Sequence, residues 1–291
     1  MRRIASCLGT IVLNIFAQPL WAEDGVFEVD MELVLAVDIS FSISMNEQDI
    51  QRRGYVAAFL DPEVVMALTQ GTRGRVAVTY LEWAGETSHA QVIPWTLISD
   101  RESAAAFSER LNNLEINRSG RTSLSGALDM AADLLGRSPF VSYRQVVDLS
   151  SDGMNNSGLR VDKARDRLIY RGITINGLPL LVGTKGGPAE NLDVYFEDCV
   201  IGGLGAFNYP VYNWESFGET LQRKLVRELA GYPGPAQARI CQAADVTQAP
   251  TKMDCLTGER AELENFKALI DTIPGGAERW KPVEKDWIPE D

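Results

Sequence analysis

Short, uninterrupted apolar runs alternate with amphipathic stretches along most of this chain. That alternation predicts a largely parallel sheet covered by helices on both faces. The first run, Leu33-Val34-Leu35-Ala36-Val37, has the length and composition of a buried strand and ends at Asp38. A helix is expected next, because Ser44 and Glu47 have the spacing of a capping box. Ile50, Ala57 and Leu60 would then lie on or near its inner face. Val76 to Trp83 and Ala90 to Ile98 are rich in β-branched and aromatic residues and read as paired strands joined through Gly85. Ser103 to Leu114 reads as a helix, and from Ser123 onward Leu124, Leu128, Ala131 and Leu135 recur at helical spacing. Val146 to Leu149 and Ile173 to Val182 are further strands, with a helix around Leu159 to Tyr170 between them. Phe217, Leu221, Leu225 and Leu229 repeat every four residues in a last helix, which stops at Gly231 with Pro233 beyond. The fold class is therefore α/β, with the main domain closing near residue 232.

The two ends differ from this body. Arg2 and Arg3 precede an apolar stretch, and Pro19-Leu20-Trp21-Ala22 leads into Glu23-Asp24. That order is a secretory signal, expected to be cleaved after Ala22. The stretch is shorter than the roughly 20 apolar residues that a membrane anchor needs. Residues 1–22 are thus read as signal peptide, 23–232 as the domain and 233–291 as a C-terminal extension. The extension carries several prolines, two cysteines, Trp280 and Trp287, and one expected helix around Glu262 to Ile273. It is expected to pack on the domain or to stay partly mobile.

Charge and cysteine usage narrow the chemistry. Without residues 1–22 the chain keeps 26 basic against 40 acidic residues. A surface that acidic repels phosphate backbones and anionic lipids, so neither nucleic-acid nor membrane binding is expected. With no second apolar stretch long enough to span a bilayer, the mature protein is not expected to insert in a membrane. Export makes a disulfide permissible among Cys199, Cys241 and Cys255, and Cys241 with Cys255, closing a short loop, is the favoured pair. His89 is the single histidine. A zinc site with two histidines is excluded, as is any Ser-His-Asp mechanism that does not depend on His89.

The informative residues cluster at the carboxyl ends of strands, where open parallel sheets bind their ligands. Asp38 ends the first strand, and Ser40 and Ser42 follow at alternate positions. Thr122 lies just ahead of the third helix, after a Ser119-Gly120-Arg121 turn, and Asp152 follows the strand at Val146 to Leu149. Two carboxylates and three hydroxyls are thereby brought to one edge. Hydroxyl and carboxylate oxygens suit a hard cation, Mg²⁺ first, with Mn²⁺ or Ca²⁺ as alternatives. Two carboxylates leave little surplus negative charge, so such an ion keeps its attraction for an acidic group on a partner. The competing reading is that Ser40 and Ser42 merely cap the helix after them.

At these positions the chain resembles the von Willebrand factor A domain, matching all five residues of that family's metal-ion-dependent adhesion site. The resemblance covers about residues 30 to 232. It extends to Leu81-Glu82-Trp83-Ala84-Gly85, Gly120-Arg121-Thr122-Ser123 and Asp152-Gly153-Met154-Asn155-Asn156, which are similar to an exported bacterial branch with no assigned role. It implies a Rossmann-like sheet with helices on both faces and a Mg²⁺-type ion on top. Ser40, Ser42 and Thr122 would bind the ion directly, and Asp38 and Asp152 directly or through water, with a protein partner's Asp or Glu completing the shell. It also implies a periplasmic or secreted location.

Other signals are weaker. Trp83, Asn155 and Asn156 follow site strands and are candidates for the rim of the site. Asp148 inside a strand needs a partner, either a neighbouring Arg or the solvent at a sheet edge. Gly183 to Gly187 lacks the ending of a phosphate loop and reads as a turn, and His89 as exposed and without function. The expectation is an exported, non-enzymatic binding protein. The alternatives are a metal-assisted hydrolase acting on phosphoryl or carbonyl substrates, or a metal that serves only the structure.

Overall fold

The computed structural model describes residues 27–183, 189–230 and 252–273. The signal segment, Cys241, residues 184–188 of the glycine-rich loop, and Gly231 with Pro233 lie outside the described residues. Five strands form the central sheet: β2 (Met31–Asp38), β3 (Val76–Trp83), β4 (His89–Ile98), β6 (Gln145–Ser151) and β7 (Thr174–Pro179). Their order is β4-β3-β2-β6-β7. All neighbours are parallel except β3 and β4, the pair predicted around Gly85. A two-stranded parallel ribbon, β1 (Phe27–Glu28) with β5 (Phe140–Val141), lies outside this sheet.

β2 and β3 are buried at every position, as expected for strands covered on both faces. On one face Leu33, Leu35, Val37, Val78 and Tyr80 meet α1 (Met45–Leu60), α2 (Pro62–Thr69), α3 (Arg101–Asn112) and α7 (Phe217–Leu229). On the other, Val34, Ala36, Leu81, Trp83 and Val147 meet α4 (Leu124–Gly136), α5 (Val161–Tyr170) and α6 (Leu192–Tyr195). The sheet carries helices on both faces, the layout the von Willebrand factor A resemblance implies.

The inner face of α1 departs from expectation. Ala57 and Leu60 are exposed and Ile50 is half-buried, while Gln48, Gln51, Arg52, Gly54, Tyr55, Ala58 and Phe59 face inward. The buried stripe is half polar because Arg52 reaches across Tyr80 to Glu82, at 2.5 Å, and to the carbonyls of Leu111 and Leu114. That ion pair fixes α1 and the end of α3 against the sheet. Asp148 does not seek an edge or an arginine. It pairs with Lys224 of α7 at 2.5 Å, with both side chains fully buried.

Beyond β7 the chain forms α6, a π-helical turn (Phe196–Val200), and a stretch that bridges to Ile175, Gly177 and Leu180 through Gly202, Asn208 and Val211. That stretch covers the sheet edge, which would otherwise present unpaired backbone groups. A short 3₁₀ turn (Trp214–Ser216) leads into α7. In the extension, α8 (Thr257–Asp271) starts five residues before the expected helix.

The predicted Cys241–Cys255 bridge is corrected: Cys255 is bonded to Cys199, 56 residues away in sequence. Sequence nearness misled, because residues 253–256 are docked on the π-helical turn. The Met253 N–H donates to Asp198 (2.7 Å) and the Tyr195 hydroxyl to the Cys255 carbonyl (3.3 Å). Among the described residues no helix is long and apolar enough to cross a membrane.

Candidate metal centre

The loop after β2 folds on its own polar groups. Asp38 turns back so that its Oδ1 accepts from the Ser40 N–H at 2.7 Å, and the Ser40 carbonyl accepts from Ile43 N–H. The helix cap falls to Ser44, whose capping box with Glu47 forms as expected. Ser40 and Ser42 are therefore not spent on capping. Their hydroxyls lie 2.9 Å apart, and Ser42 donates to Asp152 Oδ1 at 2.8 Å. From the other side, Ser151 donates to Asp38 Oδ2 at 2.6 Å. Ser40, Ser42 and Asp152 thus form a run of hydrogen-bonded oxygens, and Asp38, held by the Ser40 N–H and the Ser151 hydroxyl, adjoins it. Ser151 was missed in the sequence, where it reads only as a residue just past the expected strand, ahead of Asp152.

Thr122 joins from a third loop. Ser123 is the cap of α4, which leaves the Thr122 hydroxyl free of that duty. The hydroxyl stands over Gly153, 3.3 Å from where a Cβ would lie. Backbone bonds zip its loop to the first: Phe41 N–H to the Gly120 carbonyl (3.3 Å) and Ser119 N–H to the Ile39 carbonyl (2.9 Å). Gly120 has φ +50° and packs against the Gly85 backbone, so a side chain there would be both strained and crowded.

The rim candidates divide. Asn156 braces the site: its side chain accepts from Thr122 N–H (3.0 Å) and its N–H donates to the Thr122 carbonyl (2.9 Å). Asn155 is fully buried behind it, accepting from Ser125 N–H and donating to Leu159 and Glu259. Trp83 is corrected: its ring is fully buried in the core, because the last inward position of β3 faces α4. Its carbonyl accepts from Ile39 N–H in the site loop. His89 is also corrected. It is half-buried against Gly126 in a cleft of about 510 Å³ with Glu86, Asp129 and Arg167.

The electrostatics are unbalanced. Burial, and then the nearby charge of Asp152, push the Asp38 carboxyl up to about 7. Burial and the charge of Glu47 raise Asp152 to about 6. Neither takes part in an ion pair among the described residues. Among the described residues no group of three or more His, Cys, Asp or Glu is placed to hold a metal, so a cation here would depend on hydroxyls. The donor set fits one. The hydroxyls of Ser40 and Ser42 and the Asp152 carboxylate, 2.9 and 2.8 Å apart in turn along their hydrogen bonds, are the hard oxygen donors such an ion takes. The cluster opens outward at Ser42, which is exposed beside Phe41, itself 61% exposed. Arg118 lies over the Phe41 ring and donates to the Phe41 carbonyl.

Residues 28–233 match the model of a family described as "Protein of unknown function (DUF1194)". No curated protein matches the sequence. Among solved structures, the chain is similar to proximal thread matrix protein 1 from the mussel byssus: 15% identity, 70% of this chain and 49% of that one, TM-score 0.51. It is also similar to the pilus adhesin SpaC of Lactobacillus rhamnosus GG in its open conformation: 9% identity, 71% and 31% coverage, TM-score 0.50. A von Willebrand factor type A structure from Catenulispora acidiphila matches at 17% identity, 69% and 42% coverage, TM-score 0.47. The chain spans half or less of the length of each of these solved chains.

Proposed function

Because this chain belongs to the DUF1194 family, whose description carries no activity, we propose its function from the site: an exported binding module, periplasmic or secreted, which holds one divalent cation and uses it to engage an acidic side chain of a protein partner. The observation that carries this reading is the hydrogen-bonded cluster of Asp38, Ser40, Ser42 and Asp152, with Thr122 over Gly153, at an outward-facing strand end. A bound Mg²⁺, or Mn²⁺ or Ca²⁺ in its place, would supply the positive charge that the Asp38 and Asp152 carboxylates lack, and an open position for a partner's carboxylate. The protein's own residues do the rest. Asp38 is held by Ser40 N–H and Ser151, Ser42 stands at the surface, and the Asn156 bonds keep Thr122 in place. The adhesin and byssal matrix protein similar in fold agree with a binding role and do not establish it.

The test is calorimetric titration of Mg²⁺, Mn²⁺ and Ca²⁺ into chelator-treated protein. One site is expected, weakened by about 100-fold or more in Asp152→Ala and Ser42→Ala, since even residues behind the ligands typically contribute 10–100-fold. No binding by the wild type, or unchanged binding in both variants, would remove the reading.

The rim makes a separate prediction. Arg118 sits beside the site entrance, held on the Phe41 ring, and adds positive charge facing an acidic partner. Arg118→Glu is expected to lower Mg²⁺-dependent retention on an immobilised oligo-aspartate peptide while leaving the cation titration unchanged. Equal retention by the two proteins would exclude Arg118 from the partner surface.

A further inference from the structure

The C-terminal extension is attached to the candidate metal face at particular points. Its anchor is the Cys199–Cys255 bond, reinforced by Met253 N–H on Asp198 and by Tyr195 on the Cys255 carbonyl. From there α8 begins directly on the Asn155 backbone. A Cβ added at Gly258 would overlap the Asn155 carbonyl, so only glycine allows this approach. One residue on, Glu259 is 7% exposed and its Oε1 accepts from Asn155 Nδ2 at 2.7 Å. One turn further, Glu262 pairs with Arg121 at 2.8 Å.

These contacts fall on both sides of Thr122. Arg121 is its chain neighbour. Asn155 fixes the first turn of α4 through Ser125 N–H (3.1 Å), and the next residue, Asn156, makes both backbone-directed bonds to Thr122. The burial of α8 is confined to this end: Gly258 and Glu259 are its buried residues, whereas Phe266 and Leu269 are 40% and 59% exposed. A helix recruited only to extend the core would bury an apolar stripe along its length. This one buries a glycine and a carboxylate at its first turn.

We infer that the extension is a positioning strap: the Asn155–Glu259 and Arg121–Glu262 pairs, anchored by Cys199–Cys255, hold the Thr122 loop in register with the Asp38 and Asp152 loops. Its effect on the cation rests on the function proposed above. Its effect on the loop does not.

Hydrogen exchange on the full chain tests the strap, read at residues 119–126 and 153–159 with β3 as internal control, beside Mn²⁺ titration. Glu259→Leu and the Cys199→Ser/Cys255→Ser pair are expected to speed exchange in both loops by about tenfold while β3 stays protected. Mn²⁺ affinity should fall by about 10–100-fold. Glu259→Gln keeps an oxygen acceptor for Asn155 and should behave as wild type. If Glu259→Leu lowers the melting temperature but leaves loop exchange unchanged, or if Glu259→Gln fails to rescue, the strap is only a stabilising appendage and the inference falls. If the loops loosen while the wild type binds no Mn²⁺, the positioning role stands and the cation reading fails. The Glu259 variants keep the question decidable should the cysteine variant not fold.

Discussion

Lys224→Met is expected to destabilise the protein by about 3–5 kcal/mol at pH 8, the usual cost of leaving buried charge without its partner. Among the described residues Lys224 is the one ammonium ion-paired with two carboxylates: Asp148 at 2.5 Å and Glu228 at 3.4 Å, all three fully or almost fully buried. Asn176 donates to Glu228 at 2.6 Å, and Tyr55 stands near Asp148. Even in the wild type one positive charge does not balance two negative ones. Burial, opposed by Lys224 and aided by the charge of Asp148, pushes Glu228 up to about 7.

The pH dependence follows in sign. Between about 4.5 and 7 the folded protein keeps a proton on Glu228 that the unfolded chain has released, so this group's contribution to stability falls as pH rises through that window. Removing Lys224 exaggerates the effect, because Glu228 then loses the positive charge that opposes its burial. The deficit of Lys224→Met should therefore shrink towards pH 5. Glu228→Gln, which keeps an acceptor for Asn176 and leaves a one-to-one pair of Lys224 with Asp148, should flatten the slope without a large loss. Urea unfolding at pH 5 and pH 8 decides it. A deficit independent of pH would mean that lost packing of the lysine stem, not uncompensated charge, is responsible.

Asp148 also shows what the sequence could and could not reveal. Strands β2, β3 and β6 were legible because a strand buried on both faces must be a nearly continuous apolar run. The cap at Ser44 was legible because its chemistry is local. The five candidate ligands were legible for a related reason: each follows or precedes a recognisable element end, and the elements bring those ends to one edge. What was not legible depends on contacts between distant segments. The inner face of α1 carries Gln51 and Arg52, which an apolar stripe cannot announce, because Arg52 is there for Glu82, thirty residues away. Ser151 looks like any strand serine until its hydroxyl meets Asp38 across 113 residues. Cys199 and Cys255 meet only because residues 253–256 lie on the π-helical turn, and no local pattern signals either element.

Asp152→Asn is expected to leave metal-free protein at least as stable as the wild type at pH 8, and to abolish its response to cation. The reason lies in the same charge balance that recommends the site. Asp38 is fully buried and Asp152 half-buried, neither is ion-paired among the described residues, and each carboxyl is raised by burial and by neighbouring negative charge. An asparagine Oδ1 can still accept from Ser42, so the exchange removes one repelling charge and keeps the hydrogen bond. The wild type, by contrast, should gain about 2.7 kcal/mol when Mg²⁺ is present at a hundred times its Kd, because only the folded state binds it. The stability order of the two proteins should thus reverse between chelator and Mg²⁺, and thermal unfolding in the two buffers reads this directly. If Asp152→Asn is already about 1 kcal/mol or more less stable in chelator, the Asp152 carboxylate is stabilising the loops by itself and the site is structural. If neither protein responds to Mg²⁺, Mn²⁺ or Ca²⁺, the oxygen cluster is only a hydrogen-bonded brace. A crossing would mean that the fold tolerates an electrostatic fault at this strand end which a bound cation relieves.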